Sequence, residues 1–266
     1  MNLDALLSQP VYDLSQPFFN GCPAWVGHPI YRIAFASRHG DVLRGGGYSS
    51  ATELINLSSH SGTHIDALAH ISEYGKLCGG IDAAENQIGP SLMKEGGVER
   101  IPVGVRRGVL FDVAGHRGES AIEVGEGISG AELEEIARKQ EIEVHAGDVV
   151  LIRTGWGRFW NDPERYLGAK TGAAGPNVDA ARWLAVRKIF MTGADTITYE
   201  WRPPEPKTLA VHIELIVRSG IHLLENANLE TLAADKVREF LIVANPLLLN
   251  GATGGQVRPI AIPLRG

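Results

Sequence analysis

Short apolar blocks punctuate this chain, and most read as strands. Tyr31–Ser37 alternates apolar with polar, and Ala51–Leu57 follows as a second strand. Val109–Val113 is a short apolar strand, and Val149–Thr154 is apolar almost without a break, the pattern of a strand buried on both faces. Ile189–Thr192 and Ile221–Leu224 read the same way. Phe240–Leu249 and Val257–Pro263 are expected as a closing hairpin, joined through the glycines of 251–255. Helical spacing separates these blocks. Ser129 and Glu132 form a capping box before Leu133, Ile136 and Ala137. Val178–Val186 carries Ala180, Ala181 and Leu184 at helical intervals. Leu209–Ser219 reads as a helix closed by Gly220, and Asn228 as the cap of Leu229–Ala234. Irregular stretches cover 10–30, 72–90 and 155–175. With no repeat or linker, one domain over 1–266 is the simplest reading.

One run breaks the apolar pattern, His60-Ser-Gly62-Thr-His64-Ile-Asp66-Ala-Leu-Ala-His70. If it is extended, His60, His64 and Asp66 share a face, because side chains at i, i+2 and i+4 do. Gly62 would then leave room for an ion or substrate. A helix capped by Asp66 would bring His70 onto the same side, one turn on. Unpaired burial of these groups is costly, so the cluster is expected to bind a metal ion. His70 is either a further ligand or a base beside the metal.

The remaining histidines carry less. His39, His116 and His222 are expected in exposed positions, and His145 has no assigned role. Glu225 ends an apolar run, where a carboxylate needs a partner. Asp195 lies just past a buried strand and is either a group supporting the site or a turn cap. Trp25 packs its loop onto the core or walls a substrate pocket.

Composition narrows the classes. The 266 residues are 44% hydrophobic and 21% charged, with a net charge of −6. That balance gives a globular core and, with no basic stripe, no nucleic-acid partner. The start lacks a basic region followed by a long apolar stretch, so neither a signal peptide nor a membrane span is expected. Cys22 and Cys78 lack metal-ligand spacing and are expected as reduced thiols in a cytoplasmic protein.

The histidine run resembles the signature of the cyclase-like metal-dependent hydrolases, a family that includes bacterial kynurenine formamidases and isatin hydrolases. Further matching pieces are Asp13-Leu-Ser15-x-Pro17, Gly147–Trp156, Asp195-Thr196, the stretch from Val211-His212 to Leu229, and Asn245–Arg258. The resemblance implies an α/β fold of the swivelling β/β/α type, with a mixed sheet or barrel-like core flanked by helices. It implies that His60, His64 and Asp66 bind one metal, and that Asp66 bridges to a second position completed by His212 and Glu225. His70 would be the general acid/base and Trp25 would line the pocket for a small-molecule substrate. A homodimer or larger oligomer is implied as well. Trp25-Val26-Gly27-His28 stands where the formamidases carry Trp-Pro-Gly-Asp.

Histidine and carboxylate ligands suit Zn²⁺ or Mn²⁺, as one or two ions. Such an ion lowers the pKa of its water from ~15.7 to about 7 and polarises a carbonyl. The expected reaction is hydrolysis of a C–N bond in a small cyclic amide or N-formyl aromatic amine. Two other classes share parts of the pattern. His64, Asp66 and a distant His212 also fit a 2-His-1-carboxylate iron oxygenase, and the cluster alone fits a non-catalytic metal-binding protein.

Overall fold

In the computed structural model, which describes residues 3–90, 92–125, 127–203 and 209–264, thirteen strands are assigned. They are β1 (Tyr12–Asp13), β2 (Arg32–Ser37), β3 (Thr52–Asn56), β4 (His64–Asp66), β5 (Gln87–Ile88), β6 (Leu92–Met93), β7 (Val105–Asp112), β8 (Val149–Arg153), β9 (Met191–Ala194), β10 (His222–Glu225), β11 (Glu239–Val243), β12 (Gly254–Gln256) and β13 (Ile260–Pro263). Nine form one mixed sheet in the order β1-β13-β11-β7-β8-β9-β10-β4-β12. β7 to β10 are mutually parallel, and β4 runs antiparallel to β10. This is the expected mixed α/β fold with a barrel-like core.

The curl of the sheet follows from its connections. β12 is the ninth strand in the order and β13 the second, yet only residues 257–259 separate them. An extended chain covers at most about 3.6 Å per residue. The two edges must therefore approach each other, and the sheet forms a half-barrel. One apolar cluster joins Ile65 of β4 to Ala261 of β13, Leu110, Leu151 and Phe240, and so fills the concave side. A second lies on the convex side, beneath the helices Gly130–Gln140 and Val178–Val186. β8 feeds both clusters. Val150 and Ile152 enter the helix-covered one, and Val149 and Leu151 the other. Every residue of β8 is buried, as its unbroken apolar run predicts. Each such side chain contributes roughly 1.5–3 kcal/mol by leaving water.

Helix ends follow the sequence where a polar cap is present. The Ser129 hydroxyl accepts from the Glu132 amide at 3.2 Å, and Val178–Val186 has the expected bounds. Several expectations fail. No helix starts at Asp66; the chain makes a tight turn, with the His70 amide donating to the Ala67 carbonyl. Leu209–Ser219 is one α-turn, Ala210–His212, running into a π-helical segment, Ile213–Val217. Asn228 provides no side-chain cap; the helix Glu230–Ala234 starts from Leu229. The closing hairpin is real for β11 and β13, but the glycines between them are no turn. They form β12, which leaves to pair with β4 at the far edge.

Two histidines expected in exposed positions are not exposed. His222 is buried, with its ring against Phe190 and Nδ1 3.2 Å from the Asp66 carbonyl oxygen. β10 is covered on both faces, so alternation brings neither face to water. His116 lies in the short helix Val113–Arg117, half-buried and 3.9 Å from Glu135. His39 is exposed beside Ser49, as expected.

Candidate metal centre

β4 supplies the middle of the site. His64 and Asp66 flank Ile65, whose side chain enters the concave core, so the two polar groups project the other way. β10 pairs with β4 so that Glu225 lies directly across from His64. Cross-strand neighbours on one face are close enough to interact. His64 Nε2 lies 3.5 Å from Glu225 Oε2 and 3.3 Å from Asp66 Oδ1.

His60 arrives differently from the extended reading. Residues 58–61 form a turn tied by the Ser58 and Ser61 hydroxyls, and Gly62 reverses the chain at φ +59°. The His60 ring swings back so that Nδ1 donates to Asp66 Oδ1 at 2.7 Å, and Nε2 lies 2.9 Å from the Thr253 hydroxyl. Gly62 therefore leaves no room for a ligand; a Cβ there would overlap the Phe18 ring. Its carbonyl has another use. It accepts from His64 Nδ1 at 2.8 Å and from Asn226 Nδ2 at 2.9 Å. With its proton on Nδ1, a neutral His64 turns the Nε2 lone pair into the site.

His212, at the entry to the π-helical segment, is fixed in the same manner. Its Nδ1 lies 2.7 Å from Glu200 Oε1, and Glu200 also accepts from the Val211 amide at 2.8 Å. His212 Nε2 then faces Glu225 Oε1 at 3.2 Å and Asp66 Oδ2 at 3.7 Å. A lone pair facing a carboxylate oxygen at that distance is repulsive unless a proton or a cation lies between them. His70 closes the ring of groups. Its ring is 4.0 Å from that of His60, and Nε2 is 3.9 Å from Asp66 Oδ2.

Burial and charge compete throughout. Burial disfavours a charged His64, but Asp66 and Glu225 outweigh it and hold the imidazole above its usual value. His212 is held well above by Glu200 and Glu225, again against burial. Asp66 stays well below the usual carboxylate range, because His70, His60 and His64 outweigh its desolvation. Burial raises Glu225, with Asp66 adding to the effect. His70 is pushed down to about 3, by burial first and then by its histidine neighbours, although Asp66 pulls the other way.

These residues fit a divalent cation. His64 Nε2, Asp66 Oδ2 and Glu225 Oε1 are buried and have no hydrogen-bond partner. A buried unsatisfied polar atom costs roughly 1–3 kcal/mol, and more when charged. Ligand atoms of His60, His64 and Asp66 lie within 4.8 Å of one another, as do those of Asp66, His70 and His212. Nitrogen and carboxylate oxygen donors suit first-row divalent ions.

His60, His64, Asp66, His70, His212 and Glu225 thus converge, and all of them but Asp66 line, with Trp25, a cavity of about 320 Å³. To others the sequence assigns no role, and it leaves that of Glu200 open. Glu200 orients His212, and Arg202, His28 and Thr198 line the cavity. Gly254 makes room for His60, since a Cβ there would stand 2.6 Å from the ring. Asp195 resolves as a turn cap: its carboxylate accepts from the amides of Thr154 and Gly155 at 2.8 Å each.

Known proteins share this architecture. Residues 12–201 match the model of the cyclase family. A kynurenine formamidase from Bacillus thuringiensis (strain Al Hakam) is 26% identical over 259 residues, covering 95% of this chain and 97% of its own. The crystal structure of a novel cyclase superposes with a TM-score of 0.87 at 26% identity, over 97% of this chain and 88% of that one. Isatin hydrolase A from Ralstonia solanacearum shares the fold, with a TM-score of 0.75 at 22% identity, over 98% and 95%. The chain belongs to the cyclase family.

Proposed function

We propose that this protein is a metal-dependent hydrolase of a C–N bond, acting on an N-formyl aromatic amine or a small cyclic amide. The observation that carries the reading is the convergence of three unpartnered buried donors, His64 Nε2, Asp66 Oδ2 and Glu225 Oε1, beside His70. The likeness to a kynurenine formamidase supports the bond type. His60, His64 and Asp66 would hold one ion, and Asp66, His212 and Glu225 a second, with manganese or zinc as the metal. A bound ion would supply Lewis acidity, polarising a substrate carbonyl and acidifying a water.

The chain's own groups do the rest. His70 is neutral at neutral pH, so a ring nitrogen has a lone pair free to take a proton. It removes one proton from the attacking water and delivers it to the departing nitrogen as the C–N bond breaks. General acid–base catalysis of this kind contributes about 10²–10⁴-fold. Trp25, on the cavity wall, offers a flat apolar surface to an aromatic ring. Glu200 and the Gly62 carbonyl keep His212 and His64 in the orientation that metal binding needs.

We read the protein as cytoplasmic, in keeping with two free cysteines. Among the described residues no helix is long and apolar enough to cross a membrane. A single domain is supported by the continuous nine-stranded sheet, and a homo-oligomer by the exposed apolar side chains of the β2–β3 pair.

The test is metal analysis of the purified protein, with hydrolysis of N-formylkynurenine and isatin followed with and without added Mn²⁺ or Zn²⁺. Metal-dependent release of formate, or ring opening, is expected. His70→Ala should keep its metal and lose at least about 100-fold in kcat. A purified protein that binds no divalent ion, or whose activity requires O₂ and Fe²⁺, would overturn the reading.

A further inference from the structure

The wall of the cavity away from the metal centre carries a cation with little to balance it. Arg202 is buried, with 3% exposure. Its Nη2 donates to the carbonyls of Leu167 and Gly168, at 2.5 and 3.4 Å. Its Nε is buried with no hydrogen-bond partner among the described residues. Glu200 is the acidic group whose charge acts on it, but that carboxylate is already bonded to His212 and the Val211 amide. The guanidinium lies over the Trp25 ring, 5.0 Å from its centre. That contact stabilises a cation by about 0.5–2 kcal/mol, far less than desolvating a guanidinium costs. Two more polar atoms in the same cavity lack partners, Thr198 Oγ1 and His28 Nδ1.

We propose that Arg202 and Thr198 form a subsite for a carboxylate carried by the substrate. A carboxylate oxygen would accept from the free Nε–H of Arg202, and the Thr198 hydroxyl has a further hydrogen to give. Arg202 and Thr198 lie in the same cavity as His70, among Trp25, Ile197 and Leu209. A substrate whose carboxylate rests on Arg202 would extend its amide toward His70. This inference rests on the hydrolase reading for the word substrate. The anion site itself does not.

The experiment measures binding rather than turnover. Benzoate and benzamide are titrated by calorimetry into the full-length protein, once metal-stripped and once metal-loaded. Benzoate is expected to bind at least about 10-fold tighter than benzamide in both states. Arg202→Gln is expected to weaken benzoate by at least about 10-fold, and Arg202→Lys by less, because the charge remains but the Nε–H is lost. Equal binding of the two ligands by the wild type would overturn the proposal without need of any variant. So would benzoate binding that appears only with metal and is indifferent to Arg202. Loss of hydrolysis with intact, Arg202-dependent benzoate binding would sink the hydrolase reading alone.

Discussion

At the residue scale, the site depends on groups that never touch substrate. Glu200 holds His212 through one short hydrogen bond and the Val211 amide through another. Outer partners of this kind typically account for 10–100-fold in metal affinity. Glu200→Gln keeps an acceptor but loses the charge, so the dissociation constant for Zn²⁺ should rise by about 10–100-fold in a chelator competition. Unchanged affinity would mean that the neighbouring packing alone orients the ring. Titration adds a second test. His64 and His212 are held above the ordinary histidine value of 6.5 in the metal-free protein. Their contribution to stability is fully present below that value and is lost as pH rises through the raised ones. Burial raises Glu225 as well, and ionising it at higher pH acts in the same direction. The lowered His70, His28 and His222 act the opposite way only near and below the ordinary histidine value, so melting of the metal-free protein should shift to lower temperature between about pH 7.5 and pH 9. The metal-loaded protein, in which a cation takes the place of those protons, should lack that shift. A metal-free protein that is more stable at pH 9 would contradict the assigned charges.

At the scale of elements, the sequence disclosed what the site contains better than how it is assembled. The spacing of His60, His64, Asp66 and His70 marked the cluster, and the unbroken apolar run marked β8. The shared-face argument held for His64 and Asp66, which lie in a strand, and failed for His60, which lies in a turn. Gly62 was legible as special but for the wrong reason. Its left-handed φ is a backbone requirement, and periodicity does not show it. Likewise the glycines of 251–255 read as a loop because β12 is too short to alternate. Only its pairing with β4 shows that Gly254 must be small. Arg202 and Glu200 carry no spacing signal at all, since they meet the cluster only through the fold. Gly62→Ala must change φ, meet Phe18 and displace the carbonyl that holds His64. It should destabilise the protein by more than about 1 kcal/mol in urea unfolding and weaken metal binding as well. Gly254→Ala, which disturbs one ring rather than the backbone, should weaken metal binding with a smaller loss of stability. The opposite ranking would show that His60 does not need that space.

At the scale of the whole molecule, one element has no place in the half-barrel. Among the described residues β2 and β3 pair only with each other, and every residue of β3 is exposed. Phe35 is 57% exposed and Leu54 69%, with Ile33 and Ile55 exposed as well. An isolated two-stranded ribbon is marginally stable in water, and this one exposes Ile33, Phe35 and Ile55 on one face and Leu54 on the other, as an interaction site would. Asn20 ties the ribbon to the body, giving and taking a hydrogen bond with the backbone of Ile33. That link fixes its position without covering its faces. A second copy of the chain would cover them, in keeping with the proposed homo-oligomer. Two charges introduced together, Phe35→Glu and Leu54→Glu, should then disrupt the association. Sedimentation velocity should show the wild type as a dimer or larger species and the double variant as a monomer of about half the mass or less. Because both positions are exposed, the fold itself should tolerate the change, and far-UV circular dichroism should be preserved. A wild type that sediments as a monomer at micromolar concentration, or a double variant still fully associated, would remove the ribbon from the interface.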